Sequence, residues 1–224
     1  MAFVVAIDGP AGSGKGTVTK LVSEKLGLVN IDTGAMYRCV ALKALRNDIK
    51  ETDLEKLEEL LENISIDMKR EDGKLVVILD GEDVSEEIRT PKVDSCVAKY
   101  AAVGIVRSKI TPLQRKMGET GKVIMEGRDI GTVVFPNANV KIYLDASVEE
   151  RANRRYKQDV EKGINITYAE VLEEIKQRHK LETEREIAPL VQAEDAEYVD
   201  SSNLTIEQLV EKIIDIIKEK GYEC

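Results

Sequence analysis

The sequence predicts an α/β fold built on a mainly parallel sheet, and three observations predict it. Short apolar runs typical of strands alternate with longer segments of helical periodicity along most of the chain. The first run, 3–7, leads through a glycine-rich loop into an amphipathic segment that ends at Gly27. A single antiparallel signal, at 64–81, interrupts this rhythm and indicates an inserted β lobe. With 224 residues, 42% of them hydrophobic, the chain is long enough for one domain with a substantial core.

The first half of the chain predicts two strands and their following helices. The first strand is 3–7, and the second is the short run 28–31, which ends at Asp32. A helical stretch covers about 34–46. The next helix is predicted to open on a capping box and to bury a leucine stripe; the box residues are Thr52 and Glu55, and the stripe is Leu54, Leu57, Leu60 and Leu61.

The inserted lobe has the pattern of a β-hairpin. Residues 64–68 alternate between apolar and polar, Asp72-Gly73 is a strong turn signal, and 75–79 is a second β run. Helical patterning then returns over 92–117.

The C-terminal half returns to the α/β rhythm. Its predicted strands are 122–125, 140–144 and 198–200, and its predicted helices follow Ser147, run over 168–185 and follow Thr205. Ser147 with Glu150 and Thr205 with Gln208 have the spacing of capping boxes.

The loop after the first strand has the composition of a phosphate cradle. It reads GPAGSGKGT, and its residues are Gly9, Pro10, Ala11, Gly12, Ser13, Gly14, Lys15, Gly16 and Thr17. Glycines let successive N–H groups point inward at an anion, and the following helix adds the positive end of its dipole. Lys15 can then reach the β- and γ-phosphates of a nucleotide. The alternative is an ordinary glycine-rich turn. Because Gly16 follows the lysine, the hydroxyl for Mg²⁺ would be that of Thr17.

Acidic residues follow two other strands of the predicted sheet. Ligands of open α/β sheets gather at the carboxyl ends of strands, which makes Asp32 and Asp129 candidates for binding Mg²⁺. Glu126 competes for this role on spacing alone. The alternative for each is an ordinary loop carboxylate or a helix cap.

Two sets of arginines have helical spacing. Arg151, Arg154 and Arg155 share one helix face, as do Arg178, Glu182 and Arg185. The simpler explanation is a solvated face with intrahelical ion pairs. Because phosphoryl transfer needs convergent cations, their presence beside a phosphate loop in an acidic chain favours a kinase site.

Bulk properties exclude several classes of protein. A net charge of −9 disfavours nucleic acids and anionic membranes as partners. The three cysteines, Cys39, Cys96 and Cys224, are widely spaced, which fits a reducing compartment. No apolar run is long enough for a signal peptide or a membrane span. The one histidine, His179, supports neither a triad nor a metal cluster. We expect a cytoplasmic protein, and because nothing demands an oligomer, a monomer.

In order along the chain, the segments GPAGSGKGT, DTGAMYR, GEDVSEEIRT, EGRDIGTVVFP and KIYLDAS resemble those of bacterial cytidylate kinases, which are nucleoside monophosphate kinases. The resemblance runs essentially from the phosphate loop to the terminal helix. The phosphate loop is common to many kinases, whereas the second and fourth segments are much more specific. The resemblance implies a parallel-sheet P-loop kinase core flanked by helices, with an inserted antiparallel β lobe and a short helical lid.

The resemblance also implies an activity and its residues. The activity is transfer of the γ-phosphoryl of ATP to CMP or dCMP, with Mg²⁺. The catalytic residues would be Lys15, Arg128 and Arg178, and Thr17 and Asp32 would lie near the metal. The acceptor would be bound by Thr33, Tyr37, Arg38, Arg107, Arg128, Asp129, Arg178, Glu182 and Arg185.

Within that acceptor site, Arg38 would bind the phosphate, whereas Asp129 and Arg107 would read the cytosine edge. Base recognition is favoured over the Mg²⁺ role for Asp129. Glu182 and Arg185 would engage the ribose and orient the acceptor.

The same resemblance divides the single domain, 1–224, into functional segments. Residues 64–90 would form the acceptor-binding lobe, and 151–168 would form a lid whose Arg154 and Arg155 close over ATP. Two departures from the family pattern bear on selectivity. Glu182 replaces a frequent aspartate, which lengthens the arm by one methylene. Ala98 stands where a serine is often found, which removes one possible hydrogen bond to cytosine.

Two other functions compete with this one. A related kinase could act on another nucleotide, shikimate or a sugar acid, and a screen of acceptors separates these. A nucleotide-gated switch could hydrolyse ATP or GTP slowly, but the chain has no N-K-x-D segment for guanine.

Overall fold

The structure is a computed structural model that describes residues 2–71, 74–119 and 121–222. The chain divides into two compact units, and each is considered by itself. The first, here the sheet unit, comprises Met1–Asp32 and Arg115–Cys224. The second, here the helical unit, comprises Thr33–Gln114.

The helices and strands follow the predicted order. The strands are β1 (Phe3–Asp8), β2 (Val29–Asp32), β3 (Ile66–Glu71), β4 (Lys74–Leu79), β5 (Glu82–Asp83), β6 (Lys122–Gly127), β7 (Val140–Asp145) and β8 (Glu197–Asp200). The α-helices are α1 (Lys15–Leu26), α2 (Thr33–Arg46), α3 (Leu54–Glu62), α4 (Pro91–Ala102), α5 (Gly104–Gly118), α6 (Val148–Glu161), α7 (Tyr168–Glu184) and α8 (Ile206–Glu219). A 3₁₀ turn covers Glu87–Arg89, and a π-helical turn covers Ile130–Val134.

The sheet unit contains a parallel sheet with the strand order β2-β6-β1-β7-β8. In register, Asp8 at the end of β1 lies opposite Gly127 of β6, and Asp32 at the end of β2 lies opposite Glu126. The carboxyl ends of these strands therefore meet at one edge of the sheet. This confirms the predicted α/β class with a parallel sheet, and the edge is where such folds bind ligands.

Helices α1 and α8 pack against one face of this sheet. The apolar stripe of α8 (Leu209, Val210, Ile213, Ile214 and Ile217) is buried there beside the central strands. Thr205 and Gln208 form the predicted capping box at its start, which satisfies N–H groups that the first turn leaves without helical partners. This packing fixes β1 and α1, and therefore the loop that joins them.

The helical unit contains α2 to α4, most of α5, and a small antiparallel sheet with the order β3-β4-β5. Strands β3 and β4 pair antiparallel as predicted, while the predicted turn residues Asp72 and Gly73 lie outside the described residues. Helices α2 and α4 pack against each other in this unit.

One predicted stretch is confirmed with a break, and one local prediction was wrong. The helical patterning over 92–117 is divided between α4 and α5, because Val103 has an extended backbone (φ −78°, ψ 126°) and ends α4 before α5 begins at Gly104. The cap of α3 is Asp53 rather than Thr52, and its carboxylate accepts from the Lys56 N–H. Aspartate caps at least as well as threonine, so the adjacent residues competed for the role.

None of the helices within the described ranges combines the length and the apolar character that crossing a bilayer requires.

Candidate active site

The loop between β1 and α1 requires glycine at two positions for reasons of space and backbone conformation. Gly9 and Gly12 have φ of 152° and 81°, which side-chain-bearing residues rarely adopt. A Cβ at Gly9 would lie 1.9 Å from the Leu144 carbonyl oxygen, and one at Gly12 would lie 2.9 Å from the Arg151 Cβ. The loop is therefore packed tightly against β7 and α6.

Side chains outside the loop hold its carbonyl groups. Arg151 donates to the Ala11 carbonyl at 3.3 Å, and Arg154 donates to the Ser13 carbonyl at 3.2 Å. The Ser201 hydroxyl donates to the Ser13 carbonyl at 3.0 Å. In a trans peptide the N–H points away from the C=O, so these bonds fix the direction of the amides that follow. Such fixed amides are what an anion-binding loop needs.

The predicted lysine, Lys15, is buried within the phosphate loop. Lys15 is 5% exposed and donates to the carbonyls of Gly9 and Pro10, both at 2.7 Å, and to the Ser13 hydroxyl at 3.2 Å. Burial, and next the charge of Arg128, hold the pKa of Lys15 well below its usual value. A phosphate oxygen would accept a hydrogen bond from the same ammonium group, and its negative charge would offset the cost of burying the positive charge of Lys15.

The two arginines predicted to bind ATP have different partners. Arg154 contacts the loop as described and also donates to the Ser201 carbonyl at 2.7 Å. Arg155 instead pairs with Asp159 at 2.9 Å, one turn along α6. Both arginines therefore make the intrahelical ion pairs that were the simpler explanation for this cluster, since Arg154 also pairs with Glu150 at 2.9 Å. Arg154 in addition supports the phosphate loop.

We expect Arg154→Met to raise the KM for ATP about tenfold, because a lost charged hydrogen bond costs about 1.5–3 kcal/mol. Arg155→Met should change this KM much less. Initial rates at varied ATP measure both, and Lys157→Met on the exposed side of α6 is the matched control. Equal effects of the two arginine variants would contradict the assignment.

Two carboxylates lie side by side at the sheet edge. Asp32 and Glu126 are opposite each other in the β2–β6 register, and the Thr19 hydroxyl donates to Glu126 at 3.2 Å. Burial, and next the charge of Asp32, raise the pKa of Glu126 to about 7. Oxygen ligands crowded in this way suit a divalent cation, so the residues fit Mg²⁺. Thr17, the other predicted ligand, is exposed in the first turn of α1.

No cluster of three or more histidine, cysteine or acidic side chains able to hold a metal occurs in the described part of the chain. A Mg²⁺ ion here would therefore take its other ligands from water and substrate phosphates, as this ion commonly does.

A buried glutamate joins two of the predicted catalytic arginines. Glu182 is 4% exposed and accepts from Arg128 at 2.8 Å and from Arg178 at 2.9 Å. Burial alone would raise the pKa of Glu182, but the two guanidinium groups outweigh it and lower the pKa to about 2. Glu182 therefore orients two cations, in addition to any contact with the ribose that the resemblance implies.

Two further candidates in the sheet unit, Asp129 for reading cytosine and Arg185 for binding the ribose, also contact each other. Arg185 donates to the Asp129 carboxylate at 3.4 Å and to the Ala188 carbonyl at 2.7 Å. The Asp129 and Arg185 side chains are each 5% exposed. The structure thus places these residues in two ion-paired groups, here together called the arginine network: Arg128 and Arg178 on Glu182, and Arg185 on Asp129.

Sequence reasoning missed Asp8, which binds the turn after β6. Its two carboxylate oxygens accept from the N–H groups of Ile130 at 2.8 Å and Gly131 at 2.7 Å. Burial raises the pKa of Asp8 to about 6, against the lowering effect of these two hydrogen bonds. The available signal was a carboxylate at the end of an apolar strand, directly before the glycine-rich loop.

The remaining predicted acceptor residues belong to the helical unit. Thr33 opens α2 and is buried. The Arg107 guanidinium lies 5.3 Å from the centre of the Tyr37 ring and donates to the Ala101 carbonyl at 3.0 Å. Arg38 forms an ion pair with Asp94 and donates to the Ile88 carbonyl at 3.2 Å. These cations are already held in place within their own unit.

Known structures resemble this chain across its full length. One is an uncharacterised protein from Eubacterium ventriosum (TM-score 0.55, 12% identity, 98% of this chain and 99% of that chain covered). Another is a gluconokinase from Sinorhizobium meliloti (TM-score 0.50, 10% identity, 97% of this chain and 93% of that chain). At such low identity these similarities establish the fold alone.

Sequence similarity is much higher to curated proteins named cytidylate kinase. One from Caldicellulosiruptor saccharolyticus is 48% identical over 212 residues, which cover 95% of this chain and 94% of that protein. One from Bacillus subtilis is 47% identical over 218 residues, 97% of each. The family model described as cytidylate kinase matches residues 5–219. The chain therefore belongs to the cytidylate kinase family.

Proposed function

We propose that this chain is an ATP-dependent kinase that transfers the γ-phosphoryl group of ATP to CMP or dCMP, giving ADP and CDP or dCDP. The observation that carries the proposal is the electrostatic proximity of the loop lysine to the arginine network of this family member. Strands β1 and β6 pair with Asp8 opposite Gly127, so the phosphate loop and Arg128 follow neighbouring strands at the same end of the sheet. The charges of Arg128 and Glu182 accordingly act on the pKa of Lys15, which burial lowers most.

This arrangement supplies what phosphoryl transfer needs. The transition state spreads negative charge over the oxygens of the transferring group, and fixed cations stabilise it. Lys15 contributes from the donor side, while Arg128 and Arg178, oriented by Glu182, contribute around the transferring group. The acceptor is a phosphate oxygen that is already ionised at neutral pH, so the reaction needs no general base.

Asp32 and Thr17, with Glu126 beside them, would hold Mg²⁺ with the nucleotide. The ion would neutralise charge on the β- and γ-phosphates when bound.

Acceptor recognition is assigned residue by residue on the basis of the family resemblance. Arg38 would exchange its bond to the Ile88 carbonyl for the acceptor phosphate, and Thr33 and Tyr37 would lie against the acceptor. Asp129 and Arg107 would read cytosine, and Glu182 with Arg185 would orient the ribose. Residues 64–90 would form the acceptor-binding lobe, and 151–168 the lid over ATP. The enzyme is proposed to act as a cytoplasmic monomer.

The proposal is tested by ADP production from ATP·Mg²⁺ with CMP, dCMP, UMP, AMP, GMP and shikimate, each offered separately. We expect turnover to be confined to CMP and dCMP, because the cytosine edge presents a donor and acceptor pattern that the other acceptors lack. A reaction without acceptor measures basal hydrolysis. Turnover on a different acceptor would refute the pocket assignment, and rapid ADP formation without any acceptor would favour a nucleotide switch.

A further inference from the structure

We propose that Asp8 is a positioning residue for phosphoryl transfer, whose carboxylate fixes the turn that carries Arg128 and Asp129. The inference rests on the proposed function for its catalytic consequence. Its structural part stands by itself and can be tested without turnover.

The geometry is specific to a carboxylate. Each Asp8 oxygen accepts from one backbone N–H, that of Ile130 at 2.8 Å or that of Gly131 at 2.7 Å. Both amides belong to the π-helical turn Ile130–Val134, immediately after Asp129. An asparagine side chain offers one acceptor oxygen and an NH₂ group that would face the other N–H. Only an ionised aspartate therefore satisfies both amides.

The contact is also tight. Asp8 is 5% exposed. It lies opposite Gly127 in the β1–β6 register, and Gly127 directly precedes Arg128 and Asp129. A Cβ at Gly131 would lie 3.4 Å from the Asp8 carboxylate and 3.2 Å from the Lys141 side chain. Glycine at this position thus lets the amide approach the carboxylate.

Burying the charged Asp8 carboxylate costs free energy of folding at neutral pH. Among the surrounding charges, Asp129 raises the pKa of Asp8 and Lys15 lowers it, while Asp8 itself raises the pKa of Arg128 and of Tyr143. Because burial raises the pKa of Asp8 above its ordinary 3.8 to about 6, its contribution to stability is greatest below pH 3.8. That contribution is lost as the pH rises through about 6. Ionised Asp8 therefore lowers stability at neutral pH.

The test compares Asp8→Asn with Asp145→Asn. Asp145 is a second aspartate, at the end of the neighbouring strand β7, and its carboxylate accepts from the N–H of the next residue, Ala146, at 2.8 Å. We expect Asp8→Asn to lower kcat about 100-fold, since a displacement of about 1 Å in an active site has this effect. The KM for CMP should rise because Asp129 moves, while the equilibrium affinity for ATP stays the same. Asp145→Asn should behave as wild type.

The pH dependence of the unfolding temperature distinguishes a positioning role of Asp8 from a purely structural role. Relative to wild type, the unfolding temperature of Asp8→Asn should improve between pH 4 and pH 7, because the variant lacks the ionisation penalty. If activity falls while the difference in unfolding temperature between wild type and Asp8→Asn stays the same from pH 4 to pH 7, Asp8 is a folding residue and the proposal is wrong. Wild-type kcat and KM in the variant would also overturn it.

Hydrogen exchange separates this inference from the proposed function. Peptides covering 130–134 should exchange faster in Asp8→Asn than in wild type or Asp145→Asn, whatever the acceptor of the enzyme is. Unchanged protection would overturn the inference. Gly131→Ala, which crowds the same contact from the other side, should reproduce the faster exchange and the lower kcat if the asparagine variant does not fold.

Discussion

Replacing Lys15 by methionine is expected to lower kcat about 100- to 1,000-fold, which is the usual effect of removing one donor that stabilises transition-state charge. Lys15 is buried, carries a depressed pKa and is held against the carbonyls of its own loop. Its charge thus lies in a poorly solvated position, where its electrostatic attraction to a bound phosphate is strongest. The measurement is ADP production from ATP·Mg²⁺ and CMP at saturating concentrations of both.

The matched control is Lys20→Met, which removes an exposed lysine from the same helix. It should leave kcat unchanged. Methionine preserves most of the volume at position 15, and the unfolding temperature of Lys15→Met establishes that the variant is folded. A folded Lys15→Met enzyme with near-wild-type kcat would contradict the proposed mechanism.

The sequence predicted the architecture because its signals are local. A strand followed by a glycine loop and a helix needs no knowledge of the rest of the chain, and the same holds for the capping box of α8. The one error, Thr52 in place of Asp53 as the cap of α3, is also local, because these adjacent residues have similar capping propensities.

The site was less predictable because its contacts cross long stretches of chain. Asp8 and Ile130 are 122 residues apart and meet only because β1 pairs with β6. Spacing alone could not reveal that order of strands. Likewise Arg154 and Arg155 share a helix face, yet only the packing of α6 against the loop directs Arg154 to Ser13.

Glu182 illustrates the same limit. Its helical spacing from Arg178 offered an intrahelical ion pair as the simpler alternative to a kinase site, and the structure contains that pair. The second arginine, Arg128, comes from the end of β6, 54 residues away in sequence. One carboxylate therefore serves both as a member of a helical ion pair and as the orienting group of two arginines that are proposed to act in catalysis.

Replacing Glu182 by glutamine is accordingly expected to damage both stability and activity. Two guanidinium groups would lose their shared anion in a buried setting, and removing one partner of such a pair costs about 3–5 kcal/mol. The depressed pKa gives a similar figure: a shift from 4.5 to about 2 corresponds to about 3 kcal/mol of unfolding free energy at neutral pH. With Arg128 and Arg178 no longer held, kcat should fall about 100-fold.

The pH dependence identifies the cause of this loss. A carboxylate whose folded pKa is lowered contributes stability that is fully present above pH 4.5 and is lost as the pH falls through about 2. The difference in unfolding free energy between wild type and Glu182→Gln should therefore be constant from pH 6 to 8 and shrink below pH 4.5. Urea unfolding at each pH measures it. Glu184→Gln, an exposed neighbour on α7, should show neither effect. A difference that persists undiminished at pH 3 would mean that glutamine disturbs packing, and that the charge of Glu182 does not hold the two arginines.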